Sequence, residues 1–213
     1  MTERPLAILG GTFDPVHHGH LRAAWEAAEQ LDAEVRLVPA HVPPHRPPPI
    51  ATAAHRVALL RAALAGQDRL GLDTRELDRQ GPSYTVDTLA ALREEIGPSR
   101  PLVLLVGTDA FAHLPSWNRW RELFELAHIG VLTRPGSAPT LHWDLATEVA
   151  KRRACTVQGP AGDVIDIAIT PLDIAATAIR DAFAAGKEPR YLLPGVFFEE
   201  EGLLAPYRKA TGP

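Results

Sequence analysis

In the stretch LAILGGTFDPVHHGHL, residues 6–21, three histidines fall within four positions directly after an apolar run and a double glycine. Imidazoles so placed either ligate a metal or donate hydrogen bonds to phosphate oxygens. A catalytic zinc takes three protein ligands, and the H-E-x-x-H spacing that would supply two of them is missing. Phosphate grip accounts for more of the pattern. Gly10 and Gly11 let the chain turn tightly after a strand and let a ligand approach the backbone. Asp14-Pro15 is turn chemistry leading towards a helix. His17 and His20, three apart, share one face at the helix start, where free N–H groups and positive potential favour an anion. Donors in that position strengthen as charge builds in a transition state. His18 points elsewhere, to solvent or into packing.

These groups need elements to hold them. Short, largely apolar runs at 6–9, 35–39, 102–107 and 129–133 read as strands, with 164–170 and the more polar 70–77 as further ones, the last towards an edge. Near-continuous apolar strands imply a parallel sheet covered on both faces. Helical periodicity occupies 20–31, 54–65, 85–96, 120–127, 141–153 and 177–185. The alternation predicts an α/β, Rossmann-like doubly wound, mostly parallel sheet with helices on both faces. In such folds ligands bind beyond the carboxyl ends of the strands, so residues just after 9, 39, 106, 133 and 170 are the first candidates.

The 213 residues are expected to form one domain, 1–213, ending in a short helical C-terminal region. A net charge of −4 argues against broad nucleic-acid binding. The N-terminal MTERPLAILGG lacks the features of a signal peptide, and no apolar run is long enough to span a membrane. The single cysteine, Cys155, excludes an internal disulfide and a Cys-based zinc site, and is read as a small packing residue. The expected compartment is the cytoplasm. The proline-rich stretch HVPPHRPPPI, residues 41–50, is a connector or a substrate-facing loop, and in the second case His45 and Arg46 are its working residues.

GGTFDPVHHGH resembles the HxGH motif of the nucleotidylyltransferase superfamily, with His17 and His20 as its histidines. More closely, it is similar to the motif of bacterial nicotinate-nucleotide adenylyltransferases. The likeness continues through VPPHRP (42–47), RELDRQGPSYTVDTL (75–89), LVGTDAFAHLPSWNRW (105–120), LTRPG (132–136) and PLDIAATAIR (171–180). The resemblance implies transfer of AMP from ATP to nicotinate mononucleotide, giving deamido-NAD and pyrophosphate. It places ATP on Gly10, Gly11, Thr12, Phe13, His17 and His20, with Arg134, Thr177 and Arg180 on its phosphates. His17, His20 and Arg180 are then the catalytic residues, and the phosphate-binding motif lies near 171–183. For nicotinate mononucleotide it implies Thr85 near the carboxylate, Trp117 stacked on the pyridine, Asp109 on the ribose, Gly107 allowing close approach, and His45. Mg²⁺ is expected chiefly on ATP phosphates and water, with no metal ligands from the protein. A homo-oligomer is possible on this reading, and no nucleic-acid or membrane partner is expected.

Residue chemistry gives competing expectations at several of these positions. Ser83 and Thr85 are good N-caps, with Ser83 the expected cap, and Asp109 is another candidate cap. Arg75 and Arg79, in a charge-rich stretch, are expected to be solvated, and Trp120 to be core. Ala175 departs from the family's usual serine, removing a hydroxyl worth roughly 1 kcal/mol as a cap or phosphate donor. The alternatives are another adenylyltransferase acting on nicotinamide mononucleotide or phosphopantetheine, a silent nucleotide-binding regulator, and a His-cluster metal hydrolase. A class I aminoacyl-tRNA synthetase is disfavoured, since the chain is short and lacks KMSKS.

Overall fold

The computed structural model describes residues 3–41, 48–79, 81–133 and 140–208. Six strands, β1 (Leu6–Gly11), β2 (Glu34–Pro39), β3 (Leu70–Leu72), β4 (Leu102–Gly107), β5 (His128–Thr133) and β6 (Val164–Ala168), form one sheet in the order β3-β2-β1-β4-β5-β6. Every pairing is parallel. The chain winds outward through β2 and β3, then returns to place β4 beside β1 and winds the other way. All six carboxyl ends therefore share one edge, and the reversal opens a crevice between the ends of β1 and β4.

The helices are α1 (His18–Leu31), α2 (Ala53–Leu64), α3 (Thr85–Ile96), α4 (Thr108–Ala112), α5 (Leu123–Leu126), α6 (Trp143–Arg152), α7 (Ala176–Ala184) and α8 (Val196–Glu199). Strand alternation sorts the apolar residues into two cores. Ala7, Leu9, Val103 and Leu105 face α1, α2, α7 and α8 in one. Leu6, Ile8, Leu102, Leu104 and Val106 face α3 to α6 in the other. On α1 the buried face is alanine (Ala23, Ala24, Ala27 and Ala28), which lets the helix lie close on the sheet. No helix among the described residues is long and apolar enough to cross a membrane.

Several local expectations change. The strand predicted over 70–77 ends at Leu72, because Asp73 turns the chain by accepting from the Arg75 backbone N–H and from its guanidinium at 2.7–3.1 Å. Arg75 also meets Glu95 at 2.5 Å. Arg79 donates to Thr88 Oγ1 at 2.9 Å and to the Asp87 carbonyl at 3.0 Å. Both arginines thus tie the β3 exit to α3 and, though partly exposed, are not free in solvent. The helix predicted over 120–127 begins as a 3₁₀ turn, Trp120–Glu122, with Arg119 in the left-handed region at φ 51°. The short α4 was not predicted at all. Trp120 is core, edge-on to Phe124 at 6.2 Å. Cys155 is exposed and not packed, because it follows α6 beyond the sheet edge, where no core faces it.

Candidate active site

The segment 12–17 crosses the β1 carboxyl end and feeds α1. Phe13 sits there at φ 51°, an uncommon conformation for a bulky residue, costing about 1–3 kcal/mol that its surroundings must overcome. They do so at several points. The Asp14 carboxylate accepts from Ile50 N at 2.8 Å, Ala51 N at 3.0 Å and the Tyr207 hydroxyl at 2.8 Å. The Asp14 carbonyl accepts from Arg180 Nη1 at 2.7 Å. Arg56 Nη1 donates to the Thr12 carbonyl at 2.7 Å.

His17 and His20 come together as their spacing implies, rings stacked at 3.7 Å and 25°. Phe13 meets His20 edge-on at 5.0 Å. Gly19 is required by this pair, since a Cβ there would lie 3.0 Å from His17 Nδ1 and 3.1 Å from its Cε1. His18 instead turns to a groove of about 510 Å³ shared with Arg22, Trp25 and Tyr191.

Burial, reinforced by the neighbouring His18, pushes the His17 imidazole down to about 4, so it is neutral at pH 7. The unfolded chain takes up that proton near 6.5, whereas the fold resists it. Stability linked to His17 is therefore complete above 6.5 and is lost as pH falls towards 4, by up to about 3 kcal/mol. We expect the His17 ring signals to stay untitrated from pH 8 to 5.5 by NMR. Denaturation between pH 7 and 5 should lose less stability in His17→Asn than in the wild type. A His17 midpoint near 6.5 would contradict this.

On α7, Thr177 and Arg180 share one face and touch, Arg180 Nη2 to Thr177 Oγ1 at 3.2 Å. Ala175 is the N-cap and offers no side-chain acceptor. The first amides of α7 are thus left for another acceptor. The segment entering α7 is tied to α1: Glu26 accepts from Thr170 N at 2.7 Å and from its hydroxyl at 2.5 Å. We expect Ala175→Ser to stabilise the fold by about 1 kcal/mol and to change the KM for ATP only modestly. A hundredfold gain in turnover would show that the missing hydroxyl takes part in the chemistry.

Across the crevice, Tyr84 and not Ser83 is the N-cap of α3, without a side-chain bond to the helix. The Ser83 hydroxyl is engaged elsewhere, accepting from His41 N at 3.2 Å and hydrogen-bonding Glu76. Burial raises the Glu76 carboxyl, with Thr88 and Ser83 opposing. Thr85 opens α3, and its amide has no side-chain cap among the described residues. Gly107, not Asp109, caps α4. His113 Nδ1 and N both meet the Asp109 carbonyl, at 2.8 and 3.3 Å, leaving its exposed carboxylate uncommitted among the described residues. A Cβ at Gly10 or Gly107 would meet nothing within 4 Å, so open space lies over both sides of the crevice. Trp117 is half-buried against the second core. His45, Arg46 and Arg134 lie outside the described residues. No group of three or more His, Cys, Asp or Glu able to hold a metal occurs among the described residues.

Sequence reasoning took Asp14 only for a turn residue and missed Arg56, Glu26, Glu76 and Tyr207. A signal existed for Arg56: it lies three and four positions before Leu59 and Leu60, on the buried face of α2.

The match to the cytidylyltransferase-like family covers residues 8–182 and defines the class. Curated relatives named "Probable nicotinate-nucleotide adenylyltransferase" include one from Marinobacter nauticus, 50% identical over 88% of this chain and 89% of its own. One from Halorhodospira halophila is 50% identical over 90% and 89%. The fold is shared with the Plasmodium falciparum nicotinic acid mononucleotide adenylyltransferase complexed with NaAD, at TM-score 0.71 and 13% identity over 96% of each chain. The chain belongs to the cytidylyltransferase-like family and, within it, to the nicotinate-nucleotide adenylyltransferases.

Proposed function

We propose that the chain catalyses attack of the nicotinate mononucleotide phosphate on the α-phosphorus of ATP, a cytoplasmic step of NAD biosynthesis carried out by residues 1–213 as one unit. The new O–Pα bond forms as the bond from Pα to the bridging oxygen breaks, and pyrophosphate leaves with that electron pair. The attacking phosphate has a second pKa near 6 and is already anionic at neutral pH, so no general base is needed. The obstacle is bringing two polyanions into line, and catalysis is alignment and charge neutralisation.

One observation carries this reading. The stacked pair His17 and His20 and the α7 pair Thr177 and Arg180 converge on one loop, joined through the Asp14 carbonyl. His17, neutral at pH 7, serves as a hydrogen-bond donor beside His20 where charge builds on the reacting phosphates. Gly10, Gly11, Thr12 and Phe13 bring backbone to ATP. The α7 start, Thr177 and Arg180 hold its phosphates, with Arg134 assisting. Mg²⁺ enters as part of the ATP substrate, held by phosphate oxygens and water.

For the acceptor, the uncapped α3 start at Thr85 favours a carboxylate over a carboxamide. Trp117 supplies the stacking plane and Asp109 accepts from ribose hydroxyls, with Gly107 admitting the sugar and His45 as a further residue for the acceptor. Pyrophosphate release should be fast with ATP, Mg²⁺ and nicotinate mononucleotide, and much slower with nicotinamide mononucleotide or phosphopantetheine. Preference for either of the others would overturn the acceptor assignment.

A further inference from the structure

Arg56 of α2 belongs to none of the sequence motifs of the site, yet it is the largest of the fully buried side chains, 1% exposed. Its guanidinium forms no ion pair among the described residues. Nη1 donates to the Thr12 carbonyl at 2.7 Å and Nη2 to the Ala40 carbonyl at 2.9 Å, while Nε has no partner among them. Asp14 and Tyr207 lie near enough to act on it electrostatically, but the Asp14 carboxylate is already committed to Ile50, Ala51 and Tyr207. A buried cation bonded only to neutral carbonyls, with one N–H unsatisfied, is a poor device for stability. An apolar side chain of similar volume would serve the core as well or better.

The fork does something a side chain without it cannot do. Thr12 and Ala40 follow the carboxyl ends of β1 and β2, which are themselves joined by Ala40 N to the Gly11 carbonyl at 2.9 Å. In a trans peptide the C=O and the next N–H point in opposite directions. Holding the Thr12 carbonyl therefore turns the Phe13 N–H away from Arg56, and among the described residues that amide donates to no acceptor. This is also the residue whose backbone sits at φ 51° and must be held there. Holding the Ala40 carbonyl turns the His41 N–H away in the same manner, and it donates to Ser83 Oγ at 3.2 Å, just before the uncapped start of α3.

We propose that Arg56 is a positioning residue for adenylyl transfer, setting with one guanidinium the Phe13 amide on the ATP side and, through His41 and Ser83, the α3 start on the acceptor side. It touches neither substrate. The proposal rests on the reaction given above. Lysine at this position keeps the charge but cannot span two carbonyls in a fixed fork, and methionine keeps the volume with neither.

The test is steady-state kinetics and calorimetric binding of both substrates to full-length R56K and R56M, at a temperature where circular dichroism shows each fully folded. We expect kcat to fall at least tenfold in both, with weaker binding of ATP and of nicotinate mononucleotide together, and R56M no less heat-stable than R56K. Constants within twofold of wild type, with only the melting temperature changed, would overturn the proposal. So would weakening confined to one substrate, or failure of both variants to fold, which would assign Arg56 to the fold. Wild-type protein that releases no pyrophosphate would defeat the reaction itself, and the binding comparison would still decide the role of Arg56.

Discussion

We expect His20→Ala to lower kcat by about 10²–10³ while the KM for ATP changes far less, since the role proposed for the imidazole is to act where charge accumulates in the transition state. The geometry supports this split. His20 is the third residue of α1, its ring stacked on His17 at 3.7 Å and braced edge-on by Phe13 at 5.0 Å. A side chain so fixed loses little freedom on meeting phosphate, so its contribution is realised as the reacting geometry forms. The pair is packed tightly enough that Gly19 admits no Cβ without displacing His17, so the variant should be assayed beside a melting curve. Steady-state and single-turnover rates with varied ATP would check it. A rise in KM alone, with kcat preserved, would move His20 from transition-state stabilisation to ground-state binding.

Arg180→Lys is the second large loss, about 10²-fold in kcat/KM for ATP. Arg180 has two attachments. Nη1 holds the Asp14 carbonyl at 2.7 Å and Nη2 reaches Thr177 at 3.2 Å, with the side chain about a quarter exposed. A guanidinium can keep both and still offer N–H groups to phosphate; an ammonium has neither the span nor the planar fork. The loss should appear mainly in KM for ATP, and nicotinate mononucleotide should be affected less. Equal weakening of both substrates would mean that Arg180 acts only through the Asp14 loop.

The two losses fall on residues that sequence spacing had already paired. His17 with His20, and Thr177 with Arg180, are each three apart at a helix start; helical geometry brings the second pair to one face, and the first pairs the extended N-cap His17 with the first turn of α1. The parallel sheet was equally legible, since unbroken apolar runs such as LVLLVG mark strands covered on both sides. Ser83 shows where local reasoning stopped. A serine before a helix is a good cap in isolation, but its hydroxyl is drawn to His41 and Glu76, partners that only the fold brings near. The arginines at 75 and 79 look solvated within their stretch and become ties to α3 for the same reason.

What the sequence by itself determined is therefore what short-range geometry can express: strand and helix periods, the crossing order they permit, and residue pairs one turn apart. The tertiary structure decided which helix starts remain uncapped and face the β1–β4 crevice. It also decided how Asp14 joins Tyr207, 193 positions away, to the loop after β1, and that a helix arginine turns inward to hold two carbonyls. Hydrogen bonds over such separations depend on packing that no local pattern encodes, because a donor's partner is set by whichever surfaces the core brings into contact.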